Sequence, residues 1–181
     1  VAAGVSMVSY GIMVLVMTAT PVAMLGCGFT VQDSSWVIQW HALAMYVPSF
    51  FTGALITRFG AGKVASTGMA LLIAAAFSGL AGIRFENFAV GLILLGLGWN
   101  FGFIGGTTLL TSTYEPLERN KAQGLNDFLV FGTTTLTSLS AGALMAGAGW
   151  TVVNWAVLPL AAIGLALILW LWRHPRKAMA I

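Results

Sequence analysis

Apolar residues run along this chain in long stretches, and polar residues are confined to short punctuation between them. The stretches predict helices at residues 1–25, 35–57, 63–83, 87–112, 124–146 and 151–172. Each is close to the roughly 20 residues a helix needs to cross the hydrocarbon core of a bilayer. The connections are 26–34, 58–62, 84–86, 112–123 and 147–149, followed by a basic tail at 173–181. None has room for a soluble domain. The expected fold class is an all-α membrane protein, six transmembrane helices forming one bundle over residues 1–172.

Composition supports that pattern. Of 181 residues, 59% are hydrophobic and 7% charged, against about 25% charged in a typical soluble domain. An ordinary soluble enzyme, a nucleic-acid binder and a disordered tail are excluded. The net charge of +3 is therefore read by its position. Arg58, Lys63, Arg119, Lys121, Arg173, Arg176 and Lys177 fall on one side of the predicted spans, and Arg84 alone on the other. By the positive-inside rule both termini are expected in the cytoplasm, with the loop bearing Cys27 and Asp33 outside. Cys27 is the one cysteine, so the chain can form no internal disulfide and no thiolate-rich metal cluster. The chain starts at Val1, directly in an apolar stretch and without signal-peptide features. It is therefore expected to be part of a longer membrane protein.

Gly98, Gly102 and Gly106 recur every four residues in the fourth span, a spacing that lets a neighbouring helix approach closely and is expected to form a packing seam. Thr133, Thr134, Thr135, Thr137, Ser138 and Ser140 are expected to bond back to helical carbonyls. Asn126 and Asp127 are placed at the start of the fifth span as capping residues.

The first two spans hold the candidate chemistry. Met13 and Met17 are four residues apart, about 40° around a helix, and Met24 falls in the same sector. His41 and Met45 repeat the spacing in the second span. Thioether sulfur suits Cu(I), whereas Mg²⁺ and Ca²⁺ require oxygen. Imidazole adds affinity, and an uncharged donor set limits the cost of a site at membrane depth. Met13, Met17, His41 and Met45 are the candidate metal set, with Met24 and Cys27 as possible entry ligands. Packing competes as the role of the methionines, and a hydrogen bond to a backbone carbonyl competes as the role of His41. Trp99 and Asn100 are candidate pocket residues. The chain has no nucleotide-binding loop, His-Glu-x-x-His helix or nucleophile elbow, so no enzyme is expected.

Gly53-Ala-Leu-Ile-Thr57-Arg58-Phe59-Gly60-Ala61-Gly62-Lys63 resembles the loop motif that follows the second helix of each half of the major facilitator superfamily. Gly53, Arg58, Gly60 and Lys63 match, while Thr57 stands where the motif has an acidic residue. The resemblance implies the C-terminal half of a twelve-helix facilitator, in which substrate sits between two rocking six-helix halves. It implies a missing N-terminal half, on the same or a separate chain, as partner, beside the lipid bilayer and with no nucleic acid.

Met13-x-x-x-Met17, Cys27 and His41-x-x-x-Met45, with 36–40, 48–53, 98–110 and 123–132, are also similar to bacterial facilitator-type copper importers that serve cbb-type oxidase assembly. That resemblance implies copper as substrate, no tightly bound cofactor, and a bacterial inner membrane location. Other cysteines of that family have no counterpart, Val5, Ser9 and Gly147 standing in those regions. Riboflavin transporters share the scaffold, so an importer of a flavin-like organic solute is the alternative, with Trp36, Trp40, Trp99 and Tyr10 as stacking surfaces. A non-transporting membrane subunit in copper or oxidase assembly is a third reading.

Overall fold

The computed structural model describes residues 1–174 and contains helices and no strand among them. The helices are α1 (Ala2–Gly26), α2 (Val31–Tyr46), α3 (Ser49–Phe59), α4 (Ala61–Leu80), α5 (Phe85–Thr111) and α6 (Arg119–Arg173), with a 3-10 turn at Pro116–Glu118 before α6. Of the predicted basic tail, Arg173 and His174 are described, and Arg176 and Lys177 lie outside the described residues.

The second predicted span is two helices. The Thr30 hydroxyl and Asp33 carboxylate form a capping box that starts α2 at Val31, earlier than the apolar pattern alone suggests. The Thr30 hydroxyl and amide both donate to the Asp33 carboxylate, at 2.7 and 2.9 Å. At the other end Pro48 supplies no N–H, and the axis turns by 42° between α2 and α3.

The fifth and sixth predicted spans form one run of 55 residues interrupted at Gly149, whose φ of 77° and ψ of −179° are not helical. That backbone region is essentially restricted to glycine. The chain turns back there. Thr133 and Thr137 before the break and Leu160, Ile163 and Leu167 after it line one cleft of about 270 Å³ against α1. A straight helix would hold residues 133 and 163 about 45 Å apart. With α2 and α3 as one bent span and α6 as two limbs, 119–148 and 150–173, the bundle has the six spans the apolar pattern predicts. The first limb begins at Arg119, so Asn126 and Asp127 lie two turns inside it and cap nothing, contrary to the expectation from sequence. Polar residues 119–123 hid that start.

Close packing centres on α5. A methyl group on Gly68 of α4 would collide with the backbone of Gly102. One on Gly106 would come within 2.6 Å of the Ser6 hydroxyl of α1, and one on Gly96 within 2.7 Å of the His41 carbonyl of α2. The glycines therefore serve contacts with three helices, where the sequence spacing suggested a single seam. The second limb of α6 packs on α4, with the Trp150 indole N–H donating to the Gly79 carbonyl at 3.1 Å. Hydroxyls of Thr133, Thr134, Thr135, Thr137 and Ser140 bond back to carbonyls three or four residues earlier, as expected, whereas Ser138 makes no such bond among the described residues.

Candidate functional site

Rings from four elements meet at one end of a cluster whose members were only partly legible in the sequence. Trp99 and Phe103, one turn apart on α5, stack with centroids 5.3 Å apart and planes 9° from parallel. Tyr10 of α1 meets them edge-on at 5.4 and 5.2 Å. Tyr46, the last residue of α2, lies 6.4 Å from Trp99, and Phe131 of the first limb lies 6.3 Å from Tyr10. Edge-to-face and offset geometries are those aromatic quadrupoles favour. Trp99 is buried, whereas Tyr46 and Phe131 are exposed, so the cluster opens at the bundle surface. The Trp99 indole N–H has no hydrogen-bond partner among the described residues.

Two of the aromatic residues expected from sequence lie apart from this cluster. Trp36 and Trp40 are exposed on α2 and take part in no aromatic pair among the described residues. At 36, 40 and the buried set 34, 37, 41 and 45, the helix divides into two faces, and the tryptophans fall on the outward one. Phe103 was detectable from its spacing of four from Trp99. Tyr46 and Phe131 carried no such signal, because only the bundle brings α2 and α6 to this place.

Asn100, adjacent to Trp99, points elsewhere. Its Nδ2 donates to the Met45 carbonyl and to the Ser49 hydroxyl, both at 2.7 Å, and its Oδ1 accepts from the Thr52 hydroxyl at 2.6 Å. Helix α2 ends at Tyr46, so the Met45 carbonyl has lost its helical partner. Asn100 replaces that partner and holds the bend between α2 and α3, a structural role.

The candidate metal residues are distributed as follows. Met13, Met24 and Met45 are buried in the core, Met17 is half-buried against it, and Cys27 is exposed at the end of α1. Met24 and Cys27 thus sit in different surroundings, although three residues apart. His41 is buried, with Nδ1 2.8 Å from the Leu92 carbonyl of α5. A carbonyl only accepts, so Nδ1 carries the proton and Nε2 presents a lone pair. That Nε2 has no partner among the described residues.

In the loop motif, Gly60 has φ 90°, the left-handed conformation that lets α3 pass directly into α4. Arg58 lies exposed over the Phe59 ring, 5.2 Å from its centroid. The Thr57 hydroxyl bonds back to the Gly53 carbonyl at 3.0 Å, so no acidic partner faces Arg58 from that position. Gly53 and Lys63 are exposed.

The sequence matches the model of the Major Facilitator Superfamily over residues 1–181. It is similar to the riboflavin transporter RfnT of Brucella anthropi, with 50% identity over 163 residues, 90% of this chain and 40% of that protein. It is also similar to the uncharacterized MFS-type transporter YdeG of Bacillus subtilis, 38% identical over 91% of this chain and 37% of that protein. The uncharacterized MFS-type transporter YddS of the same organism is 32% identical over 90% of this chain and 38% of that protein. The chain spans about two fifths of the length of these curated relatives. No solved structure matches it significantly.

Proposed function

Because the chain belongs to the major facilitator superfamily, a family of membrane transporters and not of enzymes, we propose that it is one half of a carrier for a flat, riboflavin-like organic solute. The observation that carries this reading is the aromatic cluster of Tyr10, Tyr46, Trp99, Phe103 and Phe131. It draws on α1, α2, α5 and the first limb of α6, and on neither α4 nor the second limb. A cluster open at the bundle surface suits a substrate held between two halves. Stacking gives affinity to a planar heterocycle without requiring charge. The likeness to a riboflavin transporter supports this organic-solute reading over copper.

Transport then proceeds by alternating access, the two halves rocking around a solute bound at their interface. The excess of Lys and Arg on one side supports an orientation with both termini in the cytoplasm, and the bacterial relatives support an inner membrane location.

A second reading keeps copper at Met13, Met17, His41 and Met45. Its specific support is the His41 ring, because metal-binding imidazoles usually have their other nitrogen oriented by a carbonyl or carboxylate. One experiment separates the two. Cells unable to make riboflavin, expressing the full polypeptide that contains this chain, are tested for growth on low riboflavin and for copper accumulation. Rescue of growth without copper accumulation supports the organic solute, and the converse overturns it.

A further inference from the structure

Gln39 is a polar side chain exposed in the middle of an apolar span, and neither packing nor capping accounts for it. The buried face of α2 is formed by Ser34, Val37, His41 and Met45. Gln39 lies off that face, and its carboxamide takes part in no hydrogen bond among the described residues.

Depth gives this exposure its meaning. The Asp33 carboxylate, engaged by Thr30 in the first turn, marks the aqueous end of α2, because a charge is costly within the hydrocarbon. Gln39 lies six residues further in, about 9 Å, and Tyr46 thirteen, about 20 Å, so the middle of a core about 30 Å thick falls between them. A carboxamide facing lipid there would leave two N–H donors and a carbonyl without partners. The side of α2 that carries Gln39 therefore faces a space that admits polar atoms. Gln32, exposed in the first turn of the same helix, has water beside it and needs no such space.

Helix geometry fixes which side this is. Gln39 and Tyr46 are seven residues apart, about 20° around the axis and about 10 Å along it. Trp36 and Trp40 stand about 80° and 120° from Tyr46 around the same axis. Since the Tyr46 ring lies 6.4 Å from that of Trp99, Gln39 is on the aromatic cluster's side of α2 and the two tryptophans are turned away from it. A three-ring heterocycle stacked at the exposed Tyr46 end of the cluster is long enough to bring its far edge to the carboxamide. Other polar groups near the cluster are already engaged. Asn100 is bonded to the Met45 carbonyl, Ser49 and Thr52, and the Thr134 and Thr135 hydroxyls donate to the Phe131 carbonyl.

We propose that Gln39 is a specificity-determining residue that reads an imide edge of the solute, its Nε2 donating to a ring carbonyl and its Oε1 accepting from the adjacent ring N–H. A primary carboxamide and an imide each place one donor beside one acceptor, so the two form a pair of parallel hydrogen bonds. Riboflavin carries such an edge, a ring N–H between two carbonyls. The class selected is a planar heterocycle with that edge, and a ring of the same shape without the N–H leaves the carboxamide oxygen unmatched. The proposal rests on the solute reading for its ligand and adds the part of the solute that α2 recognises.

The test is equilibrium binding to the purified full polypeptide of riboflavin and of riboflavin N-methylated at the imide, where a methyl group replaces the N–H hydrogen. The proteins compared are the unsubstituted one, Gln39→Ala, and Gln39→Met, which keeps the length of the side chain without its hydrogen bonding. The unsubstituted protein is expected to bind the methylated flavin about tenfold or more weakly than riboflavin, and both variants to lose about tenfold for riboflavin while binding the two flavins within about twofold of each other. Methylation and substitution then remove the same contact and do not add. Equal binding of the two flavins by the unsubstituted protein, or a preference for riboflavin that persists in both variants, overturns the imide contact and leaves the solute reading standing. Failure of the unsubstituted protein to bind riboflavin overturns the solute reading and the imide contact with it.

Discussion

Asn100 Nδ2 donates to the carbonyl of Met45 at 2.7 Å, from α5 to the last turn of α2, just before Pro48 breaks the second span. Within a membrane an exposed backbone carbonyl has no water to turn to. This one bond lets the span bend by 42° without leaving that group unsatisfied.

Replacing Asn100 with Leu therefore leaves the Met45 carbonyl and the Ser49 hydroxyl without their Asn100 partner, while the Thr52 hydroxyl keeps the Pro48 carbonyl at 2.8 Å. The loss is expected to be about 1–3 kcal/mol for the abandoned carbonyl, seen as a lower midpoint of thermal unfolding in detergent. Asn100→Asp, which keeps an acceptor for Thr52 but no donor for Met45, is expected to recover little of it.

Gly68→Ala drives a methyl group into the backbone of Gly102 across the α4–α5 contact. Backbone cannot swing aside as a long side chain does, so destabilisation of about 1–3 kcal/mol is expected. Gly124→Ala, with nothing within 4 Å of the added carbon, is the matched control, and its midpoint is expected to stay the same or rise slightly. Equal losses at both positions would refute the close α4–α5 packing.

Gly149→Ala tests the turn between the limbs of α6. At φ 77° and ψ −179° a side chain costs about 1–3 kcal/mol, although the position has open space around it. A fall in the unfolding midpoint is expected, and Asn should not rescue it, since this region lies outside the left-handed helical zone that Asn tolerates.

Much of this architecture follows from the apolar pattern, and where it did not, a local backbone feature intervened. The start of α2 was hidden because Val31, Gln32 and Asp33 look like loop until the Thr30 capping box is seen. Residues 119–123 hid the start of α6 in the same way, being polar yet helical. In the site, Trp99 and Tyr10 were legible as aromatic residues in apolar spans. Their partners Tyr46 and Phe131 were not, because those contacts join residues 53 and 121 positions apart in sequence and depend on how the helices pack. Asn100 shows the opposite limit. A polar residue beside Trp99 suggested a pocket, but consecutive helical residues point about 100° apart, and Asn100 turns to the α2–α3 joint.

Trp99→Ala removes the ring against which Phe103, Tyr10 and Tyr46 pack, and Trp99→Phe keeps a ring but removes the N–H. If the cluster binds a planar solute, the KM for riboflavin is expected to rise about tenfold or more in the alanine variant, in line with a stacking contribution of about 1–3 kcal/mol. A smaller rise is expected for phenylalanine. Trp40→Ala, on the outward face of α2, is expected to leave KM within about twofold.

The central claim is that this chain belongs to a carrier of a flat organic solute, and the most direct test is uptake of labelled riboflavin by cells expressing the full polypeptide. The account predicts saturable uptake, reduced by excess unlabelled riboflavin and by Trp99→Ala at equal protein abundance, with no accompanying copper accumulation. Copper accumulation abolished by Met13→Ala and His41→Ala, with riboflavin uptake no higher than in cells lacking the protein, would contradict it.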